Sequence, residues 1–223
     1  MINEVRIRTL EDLMPLLTEQ EFRPEMDRNR STYLYRGMPD SGYKMATSLS
    51  RNCKQLQRKL EPAILDNYAK YAVQEEDTVR RSVWYSMISG QHNGLPTRLL
   101  DWTHSALVGL HFAVTEENLE EMADHDCMVW RIDMEEMYRL LPSKYQEAVM
   151  KTRSTIFTVP MLRRITESLE EYDRDMKDRA MVIVEPPSIN SRIINQYSFF
   201  SIVPMEMTDI EEFFDKRTEH TVK

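Results

Sequence analysis

Within the fourteen residues of GQHNGLPTRLLDWT, positions 90 to 103, the chain gathers a histidine, an arginine, an aspartate, two side-chain amides and a tryptophan. His92 in such a polar loop can serve as a general base or hydrogen-bond a ribose. Alternatively, both of its ring nitrogens satisfy nearby backbone groups. Arg98 and Asp101 stand three apart, on one face if the turn is helical. Such a pair either stiffens the loop or faces a ligand. Gln91 adds an amide at the head of the run, and Trp102 reads as core.

Other candidates lie elsewhere in the chain. Arg36 ends the aromatic stretch YLYRG, and its rigid fork of donors suits a phosphate or carboxylate. Gly37 after it lets a ligand approach the backbone closely. The alternative for Arg36 is an ion pair with a buried aspartate, for which Asp101 is available. Arg51, after TSLS, either joins Arg36 around one anion or fixes the start of a long helix. Gln196 precedes the last strand and the pair Phe199–Phe200, where it can read an amide or a base edge, or satisfy backbone. Glu185 ends the strand before it and is the nearest carboxylate for acid chemistry. The catalytic candidates are thus His92 and Glu185, and the ligand-binding candidates are Arg36, Gly37, Arg51, Gln91, Arg98, Asp101 and Gln196. His104 and His111 are seven apart, whereas a metal site prefers four with a third ligand nearby. No metal is expected, and His111, inside an apolar helix, reads as a core histidine.

The elements that must position these groups follow from periodicity. IRTLEDLMPLLTEQ has leucines at helical spacing, and Thr9 with Asp12 resembles a capping box. TYLYRG reads as a strand with Leu34 and Arg36 on one face, Tyr33 and Tyr35 on the other, followed by the turn MPDSGY. Helices are expected over 54–75, with Pro62 at its start or at a kink, and over 77–89, ending at Gly90. The polar run then reads as a connector, with Asp101 or Thr103 capping a buried helix, HSALVGLHFAVTEEN. Ala106, Leu107, Leu110, Ala113 and Val114 line that helix's apolar face. CMVWRID, AMVIVEPP and YSFFSIV read as strands. Residues 133–150, 160–178, SINSRIINQ and DIEEFFDKR read as helices. The sum is an α+β, helix-rich single domain over 1–223, with about four short strands and a motif core at 33–203.

Bulk properties narrow the function classes. Hydrophobic residues make up 41% of the chain and charged residues 30%, an ordinary soluble balance. No apolar run is long enough to span a bilayer, and MINEVRIRTLEDL lacks the apolar core of a secretory signal. Two distant cysteines, Cys53 and Cys127, speak against a disulfide scaffold or zinc ribbon and for the cytoplasm. The net charge of −8 disfavours long duplex nucleic acid. Yet residues 28–59 hold eight Lys/Arg against one Asp, while 115–147 hold three against ten Asp/Glu. The basic zone can hold a small anion, or it is a solvated face.

Taken together, Tyr35-Arg36-Gly37, Ser48-Leu49-Ser50-Arg51, the block Gln91 to Thr103, and Arg192-Ile193 through Gln196 to Phe199 and Phe200 resemble the FRG domain family. That family is named for a Phe/Tyr-Arg-Gly motif. The long block is highly specific and the flanking elements are weak alone, and the likeness spans about residues 1–215. The resemblance implies a bacterial or phage domain, often met near mobile elements and defence genes, without an established reaction. Members usually carry a longer C-terminal tail, which bears on pocket closure. A small phosphate-bearing ligand, a nucleotide, is the expected occupant, with no certain cofactor. An alternative is an ADP-ribosyltransferase-like or NAD-cleaving enzyme, because YRG, then TSLS, then a late strand follow a similar order. There the late position offers Gln196, which cannot carry the charge that stabilises an oxocarbenium centre. A different hydrolase using His92 as base is a further alternative, although the clustered carboxylates of a metal-dependent nuclease are missing. A protein-interaction module is the last.

Overall fold

The computed structural model describes residues 1–19, 21–23, 27–71, 82–115, 124–152, 156–187 and 195–223. Helix α1 (Leu10–Thr18) opens with the expected capping box: Asp12 N donates to the Thr9 hydroxyl and the Thr9 amide donates back to Asp12. A separate antiparallel pair follows, β1 (Glu21–Arg23) with β2 (Arg28–Arg30). Among the described residues the main sheet has six strands: β3 (Tyr33–Met38), β4 (Leu99–Thr103), β5 (Met128–Asp133), β6 (Phe157–Thr158), β7 (Val182–Glu185) and β8 (Ser198–Ile202). Their order is β5-β3-β4-β8-β7-β6, antiparallel throughout except for β6 beside β7. The class is α+β, and the count of about four strands is corrected to six in the main sheet and two beside it.

The strands added to the expected four had weak signals. LLDWT is strand β4, not a connector, and its central Asp101 disguised it. Neither Asp101 nor Thr103 caps the next helix. Ser105 does, its side chain accepting from Val108 N at the start of α5 (Ala106–Val114). Phe157–Thr158 is too short to show periodicity.

Between β3 and β4 lie α2 (Ser48–Cys53), a 3-10 turn (Lys54–Leu56), α3 (Gln57–Tyr71) with Pro62 inside it, and α4 (Val83–His92). The expected starts and ends of these helices at 72–81 lie outside the described residues. Helix α4 runs past Gly90, and the chain turns instead at Gly94, whose φ of 80° is the left-handed region glycine tolerates. The span 133–150 is two helices, α6 (Met134–Arg139) and α7 (Ser143–Thr152), broken at Pro142. The span 160–178 is also two, α8 (Val159–Ile165) and α9 (Leu169–Met176), the second capped by Ser168. The last helix is α10 (Ile210–Arg217). The helix expected over SINSRIINQ falls mostly on 188–194, outside the described residues.

Both faces of the sheet are buried, because strand side chains alternate. Leu99, Phe200 and Ile202 join Trp84, Ile88 and Tyr172 on one face, and Leu100, Trp102 and Phe199 join Trp130 and Phe214 on the other. Helix α5 is not buried as expected. Leu107 is 64% exposed, and the helix meets the sheet through Gly109 and Ala113. At the outer edge, Val222 bridges Arg131 of β5 and Asn3 bridges Val222, so both chain ends line one sheet edge. No helix among the described residues is long and apolar enough to cross a membrane.

Candidate functional site

The sheet is nearly split in the middle. Strand β3 pairs with β5 over six positions and β4 with β8 over five, but β3 meets β4 at one register pair, Tyr35↔Thr103. Beyond that pair the ladder is replaced by a side chain: Arg36 Nη1 donates to the Asp101 carbonyl at 2.8 Å. A cleft of about 360 Å³ opens there, lined by Tyr35, Arg36, Gly37, Pro39, Gln91, Asp101, Trp102, Thr103, Phe112, Gln196 and Ser198.

A chain of hydrogen bonds orients the polar groups of the cleft. Thr97 N donates to the Ser48 hydroxyl at 3.0 Å, and the Thr97 hydroxyl donates to Gln91 Oε1 at 2.5 Å. That fixes the amide, so Gln91 Nε2 donates to Asp101 Oδ2 at 3.0 Å. The Asp101 side chain is 59% exposed, and its Oδ2 lies 3.8 Å from Arg36 Nη1. Arg36 is 21% exposed, and its Nε is buried without a hydrogen-bond partner among the described residues. Burial draws the Arg36 guanidinium below its usual value, Asp101 opposes this and Arg51 adds to it. Burial pushes the Tyr35 phenol above its usual range.

Five of the sequence candidates therefore share this cleft: Arg36, Gly37, Gln91, Asp101 and Gln196. Gly37 carries a structural duty as well. A Cβ there would stand 2.1 Å from Gly109 O and 2.4 Å from Ala113 N, so the glycine is what lets α5 lie on β3. The Gln196 carbonyl accepts from the Thr103 hydroxyl at 2.7 Å, which ties the approach to β8 against β4.

The other four lie elsewhere. Arg98 is not the partner of Asp101. It is buried between two carboxylates, donating through Nε to Glu61 Oε1 at 2.7 Å, through Nη2 to Glu61 Oε2, and through Nη1 to Asp173 Oδ1 at 2.6 Å. Burial works against its charge, but the carboxylates outweigh burial and hold the guanidinium well above its usual value. Arg51 is exposed and donates to the Ala46 carbonyl at 2.7 Å within its own helix start. His92 ends α4 half-buried, outside the cleft lining, and Glu185 ends β7 exposed, also outside it. His111 is exposed rather than a core histidine, and its Nδ1 lies 3.2 Å from the Thr115 hydroxyl. Among the described residues, Glu136, Glu219 and His220 converge closely enough to suggest ligand geometry. The Glu136 carboxylate there already accepts from Glu219 N, His220 N and His220 Nδ1.

Sequence reasoning missed Tyr35, Pro39, Trp102, Thr103, Phe112 and Ser198 as lining residues. Phe112 carried no signal, since it sits in an apolar helix read as buried. Ser198 could have been found from β8, because it pairs with Thr103 in the register that brings Asp101 to the cleft.

The molecule is thus a mixed helix-and-sheet protein whose central sheet parts around a polar cleft. Residues 31–122 match the FRG domain. The match contains YRG and the Gln91–Thr103 block. It is narrower than the 1–215 span read from the motifs: Gln196 is beyond it, and Arg192 and Ile193 also lie outside the described residues. No curated protein and no solved structure matches the chain.

Proposed function

We propose that the cleft between β3 and β4 binds a small phosphate-bearing ligand, a nucleotide. The observation that carries this is Arg36: a guanidinium on the cleft wall, held by one main-chain carbonyl, with a buried Nε that no described residue satisfies. A buried donor left unpaired costs about 1–3 kcal/mol, which an anionic ligand would recover. The cleft volume of about 360 Å³ falls within the range of small-molecule sites, about 300 to 1,000 Å³. Phe112, Tyr35 and Pro39 offer apolar surface to a base, while Gln91 and Gln196 offer amides to its edge. The net charge of −8 supports a small anion over long duplex nucleic acid.

The test is a thermal-shift series against nucleotides, including NAD and ADP-ribose, with the wild type beside Arg36→Ala. A ligand at about a hundred times its dissociation constant adds roughly 2.7 kcal/mol of stability. The expected outcome is a rise in Tm for the wild type that is absent in a folded Arg36→Ala. No shift with any nucleotide overturns the reading and favours a protein partner. A second reading, ADP-ribosyl transfer or NAD cleavage, is favoured by one observation: the cleft lining includes a carboxylate, Asp101, beside Arg36. Release of nicotinamide from NAD tests it.

A further inference from the structure

We infer that Asp101 reads the ribose hydroxyls of the ligand and makes the cleft select ribonucleotides over their 2′-deoxy and 2′-phosphorylated forms. The inference rests on the nucleotide reading above and deepens it. Asp101 is the polar exception in a strand: Leu99, Leu100, Trp102 and Thr103 around it are buried, and it alone in β4 is exposed. Its carboxylate is held before any ligand arrives. Oδ2 accepts from Gln91 Nε2, Gln91 is locked by Thr97, and Thr97 is locked by Ser48. Asp101 lines the cleft and its Oδ1 accepts no hydrogen bond among the described residues, so one acceptor is left for a ligand.

A carboxylate so placed imposes two conditions on its ligand. It accepts hydrogen bonds from donors, and it repels a second anion. Its distance of 3.8 Å from Arg36 Nη1 sets a cation and an acceptor side by side. The matching ligand therefore presents a phosphate toward Arg36 and hydroxyl donors toward Asp101. A nucleoside 5′-phosphate carries both groups on one sugar, and a carboxylate on ribose hydroxyls is an established way to recognise that sugar. Inorganic phosphate would leave Asp101 unmatched. A phosphate on the 2′ oxygen would meet Asp101 directly.

The experiment is calorimetric titration of the full chain with the common ribonucleoside 5′-monophosphates, their 2′-deoxy counterparts and adenosine 2′,5′-bisphosphate. Wild type, Asp101→Asn and Arg36→Ala are compared, each checked for folding by circular dichroism. Asparagine keeps the shape of an exposed side chain, so the variant should fold. For the wild type, loss of the 2′ hydroxyl should weaken binding about tenfold, the scale of one hydrogen bond to a charged group. The bisphosphate should bind more weakly still. In Asp101→Asn the ribose preference should shrink and the bisphosphate penalty should disappear. Equal affinity for ribose and deoxyribose forms, or an order of affinities unchanged by Asp101→Asn, overturns the role of Asp101 while leaving the cleft a nucleotide site. Absence of binding to every probe by the folded wild type overturns both.

Discussion

Two arginines that look alike in sequence have opposite duties. Arg98 is buried with Glu61 from α3 and Asp173 from α9, and Asp173 Oδ1 also accepts from Met205 N at 3.0 Å. Removing the cation leaves two buried carboxylates facing each other, and breaking a buried pair from one side costs about 3–5 kcal/mol. Arg98→Ala is therefore expected to lose about that much stability in urea denaturation. For a chain of this size the same loss lowers Tm by about 2–4 °C per kcal/mol. Arg36→Ala removes a largely buried group whose one hydrogen-bond partner is a main-chain carbonyl and whose Nε is unsatisfied among the described residues, and it should melt close to the wild type. If the two variants melted alike, the separation of a structural arginine from a cleft arginine would fail. Loss of function in an Arg98 variant is accordingly no evidence of contact with a ligand.

The packing of α5 on β3 sets the wall of the cleft. Gly37 and Gly109 let a helix backbone touch a strand: a Cβ on Gly109 would lie 2.8 Å from Tyr35 Cβ, and a Cβ on Gly37 would strike α5 main chain. Main chain cannot swing aside as a flexible side chain can. Gly37→Ala should therefore cost at least the 1–3 kcal/mol or so typical of overpacking, and should push α5 and Phe112 away from the cleft. The expected result is a lower Tm together with faster amide exchange in α5. An unchanged melt with unchanged exchange would mean that the helix can shift without cost. This contact also explains why α5 exposes Leu107: the helix is docked by its small residues, and its larger ones lie on the outer side.

At the scale of the molecule, the two chain ends are built into one sheet edge. Asn3, Val222 and Arg131 form successive bridges beside β5, and the buried Glu136 carboxylate accepts from Glu219 and His220. Unpaired edges invite other strands, and a buried carboxylate stripped of its donors costs free energy. Deleting residues 219–223 should lower Tm and promote association, read by thermal melts and light scattering. The nucleotide shift should persist in the truncated chain, because the cleft lies on the other side of β3, between it and β4. Loss of the shift in a truncated but folded chain would tie the terminal edge to the cleft.

By itself the sequence determined what local chemistry determines. Thr9 and Asp12 announced the α1 cap, alternating aromatic and apolar residues announced β3, β5, β7 and β8, and the motif block announced the FRG domain match over residues 31–122. Arg36, Gly37, Gln91, Asp101 and Gln196, candidates by residue type from three separate stretches, line one cleft. Only the tertiary structure decided the rest. A strand interrupted by Asp101 has no period of its own, so β4 became legible only through its ladder with β8. Partner choice across long separations is not written in local spacing. Arg98 found Glu61 and Asp173 instead of its near neighbour Asp101, because burial demands the closest full satisfaction of charge and sequence distance does not enter that balance. The cleft itself exists because β3 and β4 part after one pair, a property of how two strands sit together that neither strand carries alone.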